Sequence, residues 1–200
     1  MKNRRKFLEE AAALTIGGAL LTNAGWANSL FAKKVMPAPG IQLFTLFNEM
    51  DIDTVGALQK VAAAGYKNIE SAFSKQQGFY GKKPKEFRAL LNDMGMEWRS
   101  HHVIGRPFKM PPNAKIPNGP DGKPISIPVM KNLEDNSQEF VDQVAEAGVP
   151  YLVCANINIS TGDEIKKSAE VLQRAGEQAK KAGVQLAYHN HATEFDATDG

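Results

Sequence analysis

Ala182-Gly183-Val184-Gln185-Leu186-Ala187-Tyr188-His189-Asn190-His191 decides the fold. A helical stretch closes at a glycine, a short apolar strand follows at once, and the strand runs out on two histidines. The same grammar recurs at Ala64-Gly65-Tyr66, Met94-Gly95-Met96 and Ala147-Gly148-Val149. A glycine at that point supplies the left-handed conformation that ends a helix. Successive closing glycines lie 30, 53 and 35 residues apart. Apart from the long middle gap, the period is about 30 residues, one strand plus one helix.

The spacing predicts strands at Ile41–Leu46, Tyr66–Ala72, Glu97–Ile104, Tyr151–Asn158 and Gln185–His191. Between them lie helices with start signals. Thr161 and Glu164 have the spacing of a capping box, Asn136 and Glu139 imitate it, and Pro84 suits a first helical turn. Ile165, Ala169, Leu172, Ala175 and Ala179 form an apolar stripe at helical spacing. Strands alternating with helices imply a parallel sheet with helices outside, either an open doubly wound sheet or a closed eight-stranded barrel. No Gly-x-Gly-x-x-Gly follows the first strand, which disfavours the dinucleotide-binding version of the open sheet.

The long gap is explained by residues 105–130, which hold seven of the eleven prolines. Proline lacks the N–H that a helix or central strand needs, so this segment reads as a loop inserted after the third strand. That is the face on which barrel active sites form.

The polar residues favour the barrel. All four histidines, His101, His102, His189 and His191, fall toward the C-terminal ends of expected strands, and Glu70 lies at the same level on the second. Barrel sites are built from those ends. His189 and His191 are two apart and share a side, as do Asn68 and Glu70. Of the neighbours His101 and His102 only one can face inward, and alternation does not say which. Glu70, His189, His191 and one of His101 or His102 are expected to line one cavity.

The chain begins Asn3-Arg4-Arg5-Lys6-Phe7-Leu8, followed by the uncharged stretch Ala11–Leu21 and small residues near Ala27. Too short to span a bilayer, this reads as a secretory signal over residues 1–32, its arginine pair resembling the twin-arginine form. A periplasmic or secreted location follows, with no stable membrane insertion. The signal also explains the net charge of +2: residues 1–27 carry four of the 24 basic and two of the 22 acidic residues, so the remainder is neutral. A neutral domain gives no electrostatic reason to bind nucleic acid. The single cysteine, Cys154, lies in the apolar run Tyr151–Ala155 and reads as a buried structural thiol.

Gly40-Ile41-Gln42-Leu43-Phe44-Thr45-Leu46, Gly65-Tyr66-Lys67-Asn68-Ile69-Glu70 and Tyr188-His189-Asn190-His191-Ala192-Thr193-Glu194-Phe195 together resemble the sugar phosphate isomerase/epimerase family. These are xylose-isomerase-like (β/α)8 TIM barrels. The likeness runs over residues 38–200, which would hold about five of the eight βα units of a single barrel domain. The resemblance implies a metal-dependent sugar isomerase or epimerase. A divalent metal (Mn, Mg, Co or Zn) would sit at the barrel mouth, held mostly from the sixth to eighth strands. Within this sequence it points to Glu70 and Glu194 as catalytic carboxylates, to Asn68, His101, His102 and His189 as contacts to a small-molecule sugar, and to His191 as a metal ligand. The implied chemistry is proton transfer next to a carbonyl. The competing readings are a lyase or hydrolase of keto-glycosides on the same barrel and a non-catalytic carbohydrate-binding fragment. Five strands would leave two open edges, so the 200-residue chain alone is expected to aggregate or to pair with a second copy as a homo-oligomer through them.

Overall fold

The computed structural model describes residues 37–107 and 130–195. The expected signal at 1–32 and most of the proline-rich insertion lie outside the described residues.

Five parallel strands form one sheet in the order in which they occur in the chain. They are β1 (Gly40–Gln42), β2 (Asn68–Ser71), β3 (Glu97–Ile104), β4 (Tyr151–Asn156) and β5 (Gln185–Tyr188). Between them run α1 (Phe47–Ile52), α2 (Thr54–Ala63), α3 (Pro84–Asp93), α4 (Leu133–Glu146) and α5 (Gly162–Lys181). Sequential order without a reversal is the winding of a barrel, whereas a doubly wound sheet must reverse at its switch point.

The helix-closing glycines behave as their positions require. Gly65, Gly95, Gly148 and Gly183 have φ of 93°, 68°, 68° and 74°, and the next strand begins two or three residues later. Thr161 caps α5 by accepting from the Glu164 amide at 3.2 Å, and the Glu86 carboxylate accepts from Lys83 N–H at 3.0 Å ahead of Pro84.

Several boundaries differ from the sequence reading. β1 ends at Gln42, and Leu43–Leu46 is a 3-10 turn. Only three residues of β1 have partners on β2, so the chain beyond Gln42 satisfies its own backbone groups with local bonds. β2 starts at Asn68 and ends at Ser71, β4 ends at Asn156 and β5 at Tyr188. α4 begins at Leu133, capped by the Asn132 side chain on Asp135 N–H at 3.1 Å; Asn136 instead marks a kink within it, at φ −127°. The buried stripe of α5 is Ser168, Val171, Ala175 and Ala179, while Ile165 and Ala169 are exposed. Hydrophobicity alone misses Ser168, whose hydroxyl is satisfied by the Asn158 carbonyl at 2.6 Å.

The core lies between sheet and helices. Trp98 is its largest member, edge-on to Phe79 at 4.6 Å and to Phe87 at 4.9 Å. Cys154 is fully buried there, and burial pushes its thiol up to about 12, so it stays protonated and inert.

One irregularity positions the site. Between β2 and β3 the register slips: Ile69 pairs with Trp98, but Glu70 pairs with Ser100, so Arg99 is passed over. A regular strand would put Trp98, Ser100 and His102 on one side. The slip keeps Trp98 toward the helices and turns Ser100 and His102 to the opposite face, a re-aiming typical of bulges beside functional sites.

Candidate functional site

On the inner face, the side chains of β1, β2 and β3 meet in one hydrogen-bonded cluster. Ser100 Oγ donates to Glu70 Oε2 at 2.5 Å, and Gln42 Nε2 donates to Glu70 Oε1 at 2.5 Å. His102 Nδ1 lies 3.1 Å from the same Oε1 and 2.7 Å from Gln42 Nε2. Nδ1 can donate to the carboxylate or accept from the amide, but not both in one neutral tautomer. A bond to an ionised acceptor is roughly twice as strong as a neutral one. The carboxylate therefore selects the tautomer with its proton on Nδ1, leaving the lone pair on Nε2.

Glu70 is well suited to that task. Burial alone would raise its carboxyl, but the hydrogen bonds from His102, Ser100 and Gln42, with the charge of His102, outweigh it and hold the group at about 2. A carboxylate so firmly ionised is a weak proton acceptor, which argues against Glu70 as the base itself. Its side chain and that of His102 are 22% and 21% exposed.

Above this cluster opens a cavity of about 1040 Å³. Gln42, His102, His189 and His191 line one part of it; Phe44, Phe47 and Phe73 line another. The His189 ring stands 5.6 Å from that of His102 and 4.9 Å from that of His191. The backbone N–H of His189 donates to Cys154 O at 2.9 Å, extending the β5 pairing by one residue.

His102 of β3 and His189 and His191, which follow β5, thus converge on one cavity, and the ambiguity at 101/102 resolves. His102 faces inward. His101 is 7% exposed and turned to the helices, its Nδ1 2.8 Å from Ser71 Oγ and its ring edge-on to Phe79 at 4.8 Å. It reaches the cavity only as part of the wall. Burial, with the charge of His102, lowers its imidazole to about 3, so it is neutral at any ordinary pH.

Three expected residues stand apart from the cavity lining. Asn68 shares its side with Glu70, but it is the first residue of β2 and its Nδ2 donates to Ala38 O at 2.8 Å, at the opposite end of the strands. Glu194 lies in the 3-10 turn Ala192–Phe195, accepting from Tyr188 OH at 2.6 Å and from the His191 amide at 2.8 Å. It shapes the end of β5 and fixes the His191 backbone. Glu70, also expected in the lining, sits one layer below the cavity and meets it only through its contact with His102.

Gln42 and Ser100 were not singled out by the sequence reading. Gln42 carried a usable signal, a polar residue within an otherwise apolar strand. Ser100 carried none, since its direction depends on the bulge.

The implied divalent metal finds no complete home here. Among the described residues no group of three or more His, Cys, Asp or Glu side chains comes together to hold an ion. The described residues do not by themselves make a metal centre. No described helix is long and apolar enough to cross a membrane.

Compared with known proteins, the sequence matches no family model and no curated protein. Solved structures do resemble it. A sugar phosphate isomerase/epimerase from Parabacteroides distasonis ATCC 8503 aligns at 25% identity and TM-score 0.58, over 83% of this chain and 56% of its own. A second sugar phosphate isomerase/epimerase structure from the same organism aligns at 24% and 0.60, over 80% and 57%. An L-ribulose 3-epimerase shares the fold at 17% and 0.51, over 76% and 48%. The chain thus spans about half the length of these neighbours. The chain thus has the fold of part of a (β/α)8 barrel and is similar in structure to these sugar phosphate isomerases/epimerases.

Proposed function

We propose that this protein moves a proton next to the carbonyl of a sugar or keto-sugar, as an isomerase or epimerase. One observation carries the reading: an inward-facing imidazole, His102, lies 3.1 Å from the Glu70 carboxylate and lines a cavity of substrate size.

His102 Nε2 takes the proton from the carbon beside the carbonyl, and the electron pair of that C–H bond moves onto the carbonyl oxygen as an enolate forms. The imidazolium that results keeps its Nδ1–H on Glu70, whose negative charge stabilises it. Ser100 and Gln42 keep Glu70 from turning away. Return of a proton to the opposite face of the same carbon inverts it; return to the neighbouring carbon, with the hydroxyl proton of the enediolate passing from one oxygen to the other, exchanges aldose and ketose. His189, against the His102 ring, is the candidate contact for sugar hydroxyls. The names of the structural neighbours support the substrate class.

The test is solvent exchange. The chain is incubated in D2O with a panel of ketopentoses and ketohexoses, and proton NMR follows the C–H next to the carbonyl. Loss of that signal above the buffer rate is expected for at least one sugar. No exchange with any of them would contradict the proposal.

A further inference from the structure

The sheet register slips a second time, where β3 and β4 reach the cavity. Val103 pairs with Cys154, but Ile104 pairs with Asn156, so Ala155 is passed over. Regular pairing would set Ala155 beside Ile104 and turn Asn156 toward the helices. The slip instead gives Asn156 the face that Ile104 shares with His102, two residues earlier on the same strand. Ala155 is buried, while Asn156 is exposed and lines the cavity with His102 and His189. The Gly105 N–H donates to Asn156 O at 2.6 Å, which fixes the backbone from which the side chain projects.

Register also gives the position of Asn156 relative to His102. Val153 is the partner of His102, and Asn156 that of Ile104. Neighbouring strands lie ~4.8 Å apart and two residues along a strand span ~7 Å, so the two backbones are separated by about 8 Å, diagonally toward the strand ends. A sugar carbon held at His102 Nε2 has the oxygen of the adjacent carbonyl two bonds away, within reach of a side chain so placed. Gln42 and Gln143, also in the lining, have their amides committed to Glu70 and Glu139. The carboxamide of Asn156 bonds no described residue. The chemistry needs a donor at this point. As His102 takes the proton, the C–H electron pair puts negative charge on the carbonyl oxygen, and the ionised Glu70 does nothing to hold it. A neutral N–H aimed at that oxygen stabilises the charge as it develops.

We propose that Asn156 is a further catalytic residue, whose Nδ2 donates to the carbonyl oxygen of the substrate and holds the enolate formed when His102 removes the neighbouring proton. This rests on the proton-transfer reading and adds to it the group that receives the oxygen. No bond forms or breaks at Asn156: the amide keeps its proton throughout.

Solvent exchange by the full chain in D2O tests it, with ketose concentration varied so that the limiting rate and the half-saturating concentration are read separately. Asn156→Ala and the near-isosteric Asn156→Asp are each checked by circular dichroism. Loss of the donor should lower the limiting rate about 10²–10³-fold, with the half-saturating concentration changed less than about threefold. Asn156→Asp sets an acceptor and a charge against the enolate, so at neutral pH it should be at least as slow as Asn156→Ala. A limiting rate within about threefold of the unsubstituted chain in either folded variant would overturn the role of Asn156 and leave the proton-transfer reading intact. A loss confined to the half-saturating concentration, or an Asn156→Asp variant faster than Asn156→Ala, would do the same. Failure of the unsubstituted chain to exchange any ketose would overturn both.

Discussion

His101 and His102 are neighbours in sequence and share one strand, yet they occupy two different molecules in all but covalent structure. His101 sits among Phe79, Phe140 and Ser71 in the layer between sheet and helices, buried and neutral. His102 sits on the inner face, tied to an ionised carboxylate and open to the cavity. The same imidazole is a packing unit on one side of the sheet and a candidate proton carrier on the other. Strand alternation sets them about 180° apart, and the one-residue slip at Arg99 decides which of the two faces inward. Residue type therefore says little about role until the face is known.

That contrast can be broken most forcefully at His102. His102→Ala should lower the proton-exchange rate by about 10²–10⁴-fold, the usual worth of a positioned acid–base group, with little change in the thermal melt. A comparable loss of stability would mean that both histidines are structural.

His101→Ala should do the reverse. Removing a buried ring between two aromatic side chains should cost about 2–4 kcal/mol of unfolding free energy in urea titration. The exchange rate per folded molecule should change little.

Acidification sharpens the contrast further. The folded His101 imidazole lies near 3 against an ordinary 6.5, so below pH 6.5 the unfolded chain binds a proton that the folded chain refuses. Stability is full above pH 6.5 and falls as pH drops from there toward 3, on the order of 1.4 kcal/mol per pH unit at most for one proton. Glu70, with a folded value of about 2 against 4.5, adds a loss of the same sign below pH 4.5. His101→Gln should flatten the urea midpoint between pH 6.5 and 4.5, whereas Glu70→Gln should flatten it only below that. An unchanged profile in His101→Gln would show that His101 is not held neutral by burial.

The smallest effect is expected at Ser100. Ser100→Ala removes one bond to Glu70 and leaves those from Gln42 and His102. A several-fold fall in exchange rate, with the rate's acid limb moved upward in pH, would mark Ser100 as a positioning residue; a fall with no shift in the pH profile would make it a packing contact.

Much of the fold was legible because its punctuation is local. Gly65, Gly95, Gly148 and Gly183 announce helix ends through a backbone requirement that only glycine meets cheaply, and Thr161 and Pro84 announce helix starts. The convergence of His189 and His191 with one histidine of β3 was legible from strand-end position. The side of His102 was not, because a bulge is a pairing event between two strands and leaves no mark in either alone. Asn68 misled for a related reason: alternation gives its face correctly, but its depth depends on where β2 starts, and β2 starts two residues later than Tyr66. The place of Phe44 in the cavity lining was hidden because Leu43–Leu46 reads as strand from its apolar content, whereas the register with β2 stops at Gln42.

The most direct measurement compares two single substitutions in one assay. His101→Gln and His102→Gln, each confirmed as folded by circular dichroism, are followed by proton NMR in D2O with whichever ketose the unsubstituted protein exchanges. The account expects exchange to persist in His101→Gln and to vanish in His102→Gln. Exchange that persists in His102→Gln, or that vanishes equally in both folded variants, would contradict it.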